Sequence, residues 1–149
     1  MRKTSTERYG SEVKALWNLA LRLGRPDSLP FADPLNEARP ALLGLRPLLG
    51  PPGAKAGKGE YLHCLEAGLW LLFDFMAESH ALSQGLGNPS GSYWHAILHR
   101  REPDPGNSRY WWSRVGQHPV FAELLQDARE IAAQHPQARL GPLAAGREW

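Results

Sequence analysis

The run over residues 60–83 constrains this chain most, because it reads as one long helix that is apolar on nearly every side. A surface helix shows a single apolar stripe, whereas a helix that is apolar all round has to be surrounded by other elements. A polar stripe does run along it: Glu60, His63, Glu66, Trp70, Asp74 and Glu78 recur every three or four residues. Ionised groups are costly to bury unless they are paired or bound to a cation. The stripe therefore faces either solvent, as the outer side of a helix near the surface, or something polar.

The rest of the sequence supplies partners for such a rod. Ser11 can cap a helix over 11–23, in which Val13, Leu16, Trp17 and Ala20 fall at helical spacing and Gly24 is the stop. Leu35, Ala38, Leu42, Leu45, Leu48 and Leu49 suggest helix again, with Pro40 and Pro47 breaking it into short pieces. Ser92 can cap a helix over 93–102, and Asn107 or Ser108 one that Gly116 closes. Pro119 suits the first position of a last helix, where Phe121, Leu124, Leu125, Ala128, Ile131 and Ala132 form an amphipathic stripe. No stretch alternates as a strand does, and Val and Ile are scarce. The expected fold is all-α, a single irregular helical bundle around the central apolar helix. It spans 1–149 as one domain, with a flexible loop at about 50–59 and a loose tail from about 137 to 149.

That loop contains Gly53, Gly57, Lys58 and Gly59, which invites comparison with a phosphate-binding loop. Such a loop needs four residues between its glycines, then Lys and a hydroxyl residue for magnesium. Here three residues separate the glycines and Gly59 stands where the hydroxyl belongs, so that reading fails.

Charge and cysteine usage narrow the function classes. Seventeen basic against 15 acidic residues leave a net charge of +2, slighter than nucleic-acid or membrane-surface binding usually shows. Thirteen of the basic residues are Arg, which binds planar anions bidentately and stacks on rings. A single cysteine, Cys64, excludes a disulfide within the chain and a zinc site built on several thiolates. Its apolar neighbours mark it as an inert core thiol. The N-terminus lacks the apolar core of a signal peptide, and the most apolar stretch, 61–76, is shorter than the ~20 residues of a membrane span. A soluble, cytoplasmic protein is expected.

The chemistry concentrates after residue 92. At ~100° per residue, His95, His99 and Glu102 share one helix face, and two His at i and i+4 with a nearby carboxylate can hold a divalent metal such as zinc. A zinc protease would carry Glu directly after the first His, where this chain has Ala96. If the polar stripe of the central helix faced this one, His63, Glu66 or Glu78 would complete the site. The candidate metal ligands are therefore His95, His99, His63 and Glu66. The candidate catalytic groups are His95, His99, Glu102 and Asp104. The bland alternative is a histidine pair hydrogen-bonded in place, beside a merely solvated acidic face.

Between His99 and Pro119 lie Arg100, Arg101, Arg109 and Arg114, with Asn107 and the rings Tyr110, Trp111 and Trp112. Guanidinium groups for charge, amide and carboxylate for hydroxyls and rings for stacking suit a small anionic or polar ligand. Arg100, Arg101, Asn107, Tyr110 and Arg114 are its candidate binding residues. The same residues can instead form an internal ion-pair network that locks a loop between two helices.

This segment, Tyr93-Trp94-His95 with His99-Arg100-Arg101-Glu102 and Asp104, then Asn107, Tyr110-Trp111, Arg114-Val115-Gly116 and His118-Pro119, resembles the signature of a widespread family of uncharacterised proteins. The resemblance covers about thirty residues and implies no activity, cofactor or catalytic residue. Three functions compete on the residues alone. The first is a small-molecule site, metal-assisted or running on His/carboxylate acid-base chemistry. The second is a non-enzymatic structural or protein-interaction domain. The third, nucleic-acid binding, has the weak net charge and interspersed acids against it. Nothing in the residues fixes an oligomeric state.

Overall fold

A computed structural model describes residues 33–45, 47 and 58–135, together with 14, 15 and 18, which are helical. The remainder of the expected 11–23 helix, residues 50–57 of the expected loop and the tail after 135 lie outside the described residues. The described part is all-α, with no strand. A 3-10 turn at Asn36–Ala38 leads into α1 (Arg39–Gly44), followed by α2 (Lys58–Leu72), α3 (Met76–Ser83), α4 (Pro89–Arg101), α5 (Pro105–Val115) and α6 (Val120–Gln134). None of these helices is long and apolar enough to cross a membrane. The chain divides into two compact units, Met1–Gly116 and Gln117–Trp149.

The expected single helix over 60–83 is two helices, and the break at residues 73–75 is the largest departure from the sequence reading. Asp74 takes a positive φ of 65°, a conformation in which a non-glycine residue is uncommon but Asp is enriched. The Phe75 amide donates to the Trp70 carbonyl at 2.9 Å, and the Asp74 amide to the Leu71 carbonyl at 3.2 Å. These two bonds form a Schellman cap, with Asp74 where glycine usually stands. Its usual apolar contact is present too, since the Trp70 and Phe75 rings meet edge-on at 5.1 Å. Arg101 reaches in from α4, donating to the Leu71 carbonyl at 2.8 Å and to the Asp74 carboxylate. The left-handed residue is thus fixed by an ion pair that no periodicity announces.

The core lies where α1 meets α2 and the break: Ala38, Leu42, Leu45, Leu69, Trp70, Phe73 and Phe75 are buried together. Arg39 lies over the Phe75 ring at 4.4 Å and pairs with Glu78 at 2.7 Å, covering this core from outside. Pro40 opens α1 from its first turn instead of breaking a helix, a place where its missing N–H costs nothing.

The helices that carry the site are tied through small residues. Gly68 lets α2 approach α4, because a Cβ there would lie 2.6 Å from the Trp94 ring. The buried Ser79 hydroxyl donates to the Ala67 carbonyl of α2, and the buried Ser108 hydroxyl to the Ala96 carbonyl of α4, each at 2.9 Å. A hydroxyl on a carbonyl satisfies both polar groups while two backbones sit close. Helix α4 starts earlier than expected: Asn88 is the cap, accepting from the Gly91 amide at 2.8 Å, Pro89 follows, and Ser92 lies buried inside the helix. Asp104, not Asn107 or Ser108, caps α5, and Gly116 ends it with a φ of 58°.

In the second unit, Pro119 precedes α6 rather than occupying its first position, and the His118 ring accepts from the Val120 amide at 3.2 Å. Phe121, Leu124, Leu125 and Ile131 of its stripe are exposed.

Candidate functional site

Helices α3 and α4 are joined by only residues 84–88, so they form a helical hairpin that turns the histidines of one onto the other. His95 and His99, one turn apart on α4, are buried, and half-buried His80 of α3 completes a group of three. One ring nitrogen from each lies within 4.8 Å of the others, and these three are the one potential metal-holding group among the described residues. The ring centroids stand 4.6 Å apart for His80 and His95, 4.7 Å for His95 and His99, and 5.6 Å for His80 and His99.

Nδ1 of each α4 histidine is engaged. His95 Nδ1 meets Ser83 Oγ at 2.8 Å, and Ser83 Oγ itself donates to the His80 carbonyl at 3.5 Å. When Ser83 Oγ accepts from the ring, the His95 proton lies on Nδ1 and the Nε2 lone pair is open. His99 Nδ1 meets Glu102 Oε2 at 2.9 Å, and an ionised carboxylate only accepts, so His99 is oriented in the same sense. Burial, reinforced by the neighbouring His80 and His99, lowers the His95 pKa to about 4. His95 is therefore a neutral imidazole at physiological pH. Trp111 of α5 lies against it with ring centroids 4.0 Å apart, and the Arg114 guanidinium sits 5.4 Å from the Trp111 centroid.

The other candidates from the sequence fall elsewhere. Buried His63 and Glu66 hold each other at 3.4 Å, and Trp70 Nε1 donates to Glu66 at 3.2 Å, so the pair lies outside the three-histidine group. Glu66 and Asp74 are 3% and 2% exposed, which corrects the picture of a solvated acidic face on the central helix. Glu78 is turned to Arg39. Both carboxylate oxygens of Asp104 are bound to Asn107, at 3.1 Å to its amide N–H and 2.8 Å to its side chain. These bonds lower the Asp104 pKa.

Among the candidate binding residues, Arg101 is built into the α2 terminus, Asn107 serves the cap, and exposed Tyr110 stands under Arg114 at 5.8 Å. Arg100 lines a surface groove. Cys64 is buried, its thiol donating to Asn88 at 3.3 Å, and burial pushes its pKa up.

His80 is the site residue that the sequence reading missed. On a continuous 60–83 helix it falls on no face shared with the α4 histidines. The available signal was the connection of only a few residues before Asn88-Pro89, which forces the flanking helices to be antiparallel neighbours. No family model, curated protein or solved structure matches this chain.

Proposed function

We propose that the chain is a metal-dependent helical protein in which His80, His95 and His99 hold a divalent cation such as zinc and a small anionic or polar molecule is bound and acted on there. The observation that carries this reading is the convergence of three imidazoles, with Nδ1 of two of them held by Ser83 and Glu102. Partners of this kind fix the tautomer and orientation of ligating histidines and raise their basicity. The donor atoms need to close in only modestly, because a tetrahedral site with Zn–N bonds of about 2.1 Å has edges of roughly 3.4 Å.

Three neutral donors leave the full +2 charge of the cation and at least one coordination position open. Such a centre supplies Lewis-acid polarisation of a carbonyl or phosphoryl oxygen, and a bound water with its pKa lowered to roughly 7. Trp111 lies against one side of His95, and half-buried His80 is the most exposed of the three. Without a cation, His99 with Glu102 would instead be the arrangement of a general acid-base couple. A cytoplasmic setting fits the single, buried thiol.

The test is titration of chelator-treated protein with Co(II). Site-specific loading gives one equivalent and the intense visible absorption of a low-coordinate, nitrogen-rich site, lost in His80→Ala and His95→Ala. A featureless titration, or one that these substitutions leave unchanged, removes the metal reading.

A second reading has its own support. Asp74 is buried and paired with Arg101, and buried His63, Glu66 and Trp70 bond one another. Much of the polar sequence thus serves the fold, as a non-enzymatic structural or interaction domain requires. If the Co(II) experiment fails, this reading takes over for the histidines too.

A further inference from the structure

A second feature lies on unit Met1–Gly116, outside the three-histidine group. A surface groove with a volume of about 470 Å3 is lined by Arg100 and Pro103 at the end of α4 and by Pro105, Ser108, Arg109 and Trp112 of α5. Its size falls in the ~300–1,000 Å3 range typical of small-molecule sites. Arg100 and Arg109 are both exposed, and neither forms an ion pair among the described residues. This sets them apart from Arg39 and Arg101, whose charges are answered by Glu78 and Asp74.

Of the carboxylates near them in sequence, Glu102 is paired with His99 and Asp104 is committed with both oxygens to Asn107. Like charges facing one concavity repel unless an anion sits between them. Trp112 supplies the wall: it is half-buried and braced edge-on by Tyr93 at 5.4 Å, so its indole stays in place. Pro103 and Pro105 add apolar surface that donates no backbone N–H. The Ser108 hydroxyl is spent on the Ala96 carbonyl and offers the groove no donor proton. The charged donors are therefore the two guanidinium groups, beside the flat face of the indole.

We propose that this groove binds a small aromatic anion, a planar ring carrying one carboxylate or phosphate. The ring lies on Trp112 and the anionic group between Arg100 and Arg109. Guanidinium groups match both anions bidentately, and an aromatic ring both stacks on indole and lies against proline. Because the groove uses none of the three histidines, this site stands or falls independently of the metal.

The experiment follows the Trp112 indole N–H in 15N-labelled full-length protein, its signal assigned by its loss in Trp112→Phe. The probes are 2-naphthoate and adenosine 5′-monophosphate, each beside its neutral counterpart, 2-naphthalenemethanol and adenosine. At least one anion should shift the Trp112 signal saturably at one equivalent, and its neutral counterpart should bind at least about tenfold more weakly. Arg100→Gln and Arg109→Gln, at exposed positions where the fold tolerates change, should each weaken that anion about tenfold. His80→Ala should leave the titration unaltered. The carboxylate and phosphate arms show which anion the groove prefers. Absence of a saturable shift with either anion up to about 10 mM would overturn the proposal. So would equal binding of the neutral counterparts, or unchanged affinity in both Arg variants. A single-stranded oligonucleotide that binds far more tightly than either probe, with an affinity growing with its length, would overturn it in favour of a nucleic-acid surface.

Discussion

Arg101→Met is the most informative single perturbation of the fold, because it separates a ligand-binding arginine from one that holds the backbone. The Arg101 side chain is 11% exposed and that of Asp74 1%, so the substitution strands a carboxylate in the interior. It also removes a donor from the Leu71 carbonyl at the end of α2. Breaking a buried pair from one side costs about 3–5 kcal/mol. That is a large share of the roughly 5–15 kcal/mol by which a domain is stable. With a urea slope of about 2 kcal/mol per molar, the unfolding midpoint should fall by about 1.5–2.5 M. Asp74→Asn keeps a side chain that tolerates positive φ while removing the stranded charge. The double variant should therefore be more stable than Arg101→Met alone. A midpoint within about 0.5 M of the parent, or strictly additive single effects, would refute the assignment of Arg101 to the Schellman cap and return it to the list of ligand-binding groups.

Gly68→Ala places a Cβ 2.6 Å from the Trp94 ring and should destabilise by about 1–3 kcal/mol, read by thermal unfolding; an unchanged melting temperature would contradict the close approach of α2 and α4. His95 makes metal-free stability pH-dependent. Its folded pKa of about 4 lies below the unfolded value of 6.5, so the unfolded chain takes up a proton that the folded chain refuses. The His95 contribution is complete above pH 6.5 and is lost as pH falls toward 4, by about 3 kcal/mol in all. His95→Asn should flatten denaturation midpoints over that window, and an equal slope in parent and variant would count against it. Ser83→Ala should lower zinc affinity about tenfold by releasing His95 Nδ1, while Ser79→Ala, which removes a buried hydroxyl from a carbonyl at 2.9 Å, should cost stability without changing affinity.

The helical class and most helix positions were legible in the sequence, because apolar spacing and glycine or proline punctuation are local signals. The α4 histidines were legible for the same reason: two residues four apart on a helix share a face whatever the rest of the chain does. The break at Asp74 was not, since its left-handed turn depends on Arg101, a residue 27 positions away. With the break unseen, His80 and Ser83 stayed on a continuous rod, and His63 with Glu66 took their place as candidate ligands. Caps show the same limit on a smaller scale. Ser92 and Asn107 are both competent capping residues, but Asn88 and Asp104, each just before a proline, do the capping. Proline in the first helical position was the stronger cue.

The most direct measurement of the central claim is the metal content of untreated, purified protein by elemental mass spectrometry, set beside His80→Ala and His63→Ala. The account predicts close to one equivalent of a divalent metal in the parent and in His63→Ala, and its loss in His80→Ala. Metal retained in His80→Ala but lost in His63→Ala would contradict it and move the site to the α2 pair. No metal in the parent, with none taken up from zinc added after purification, would leave the three histidines as part of the packing alone.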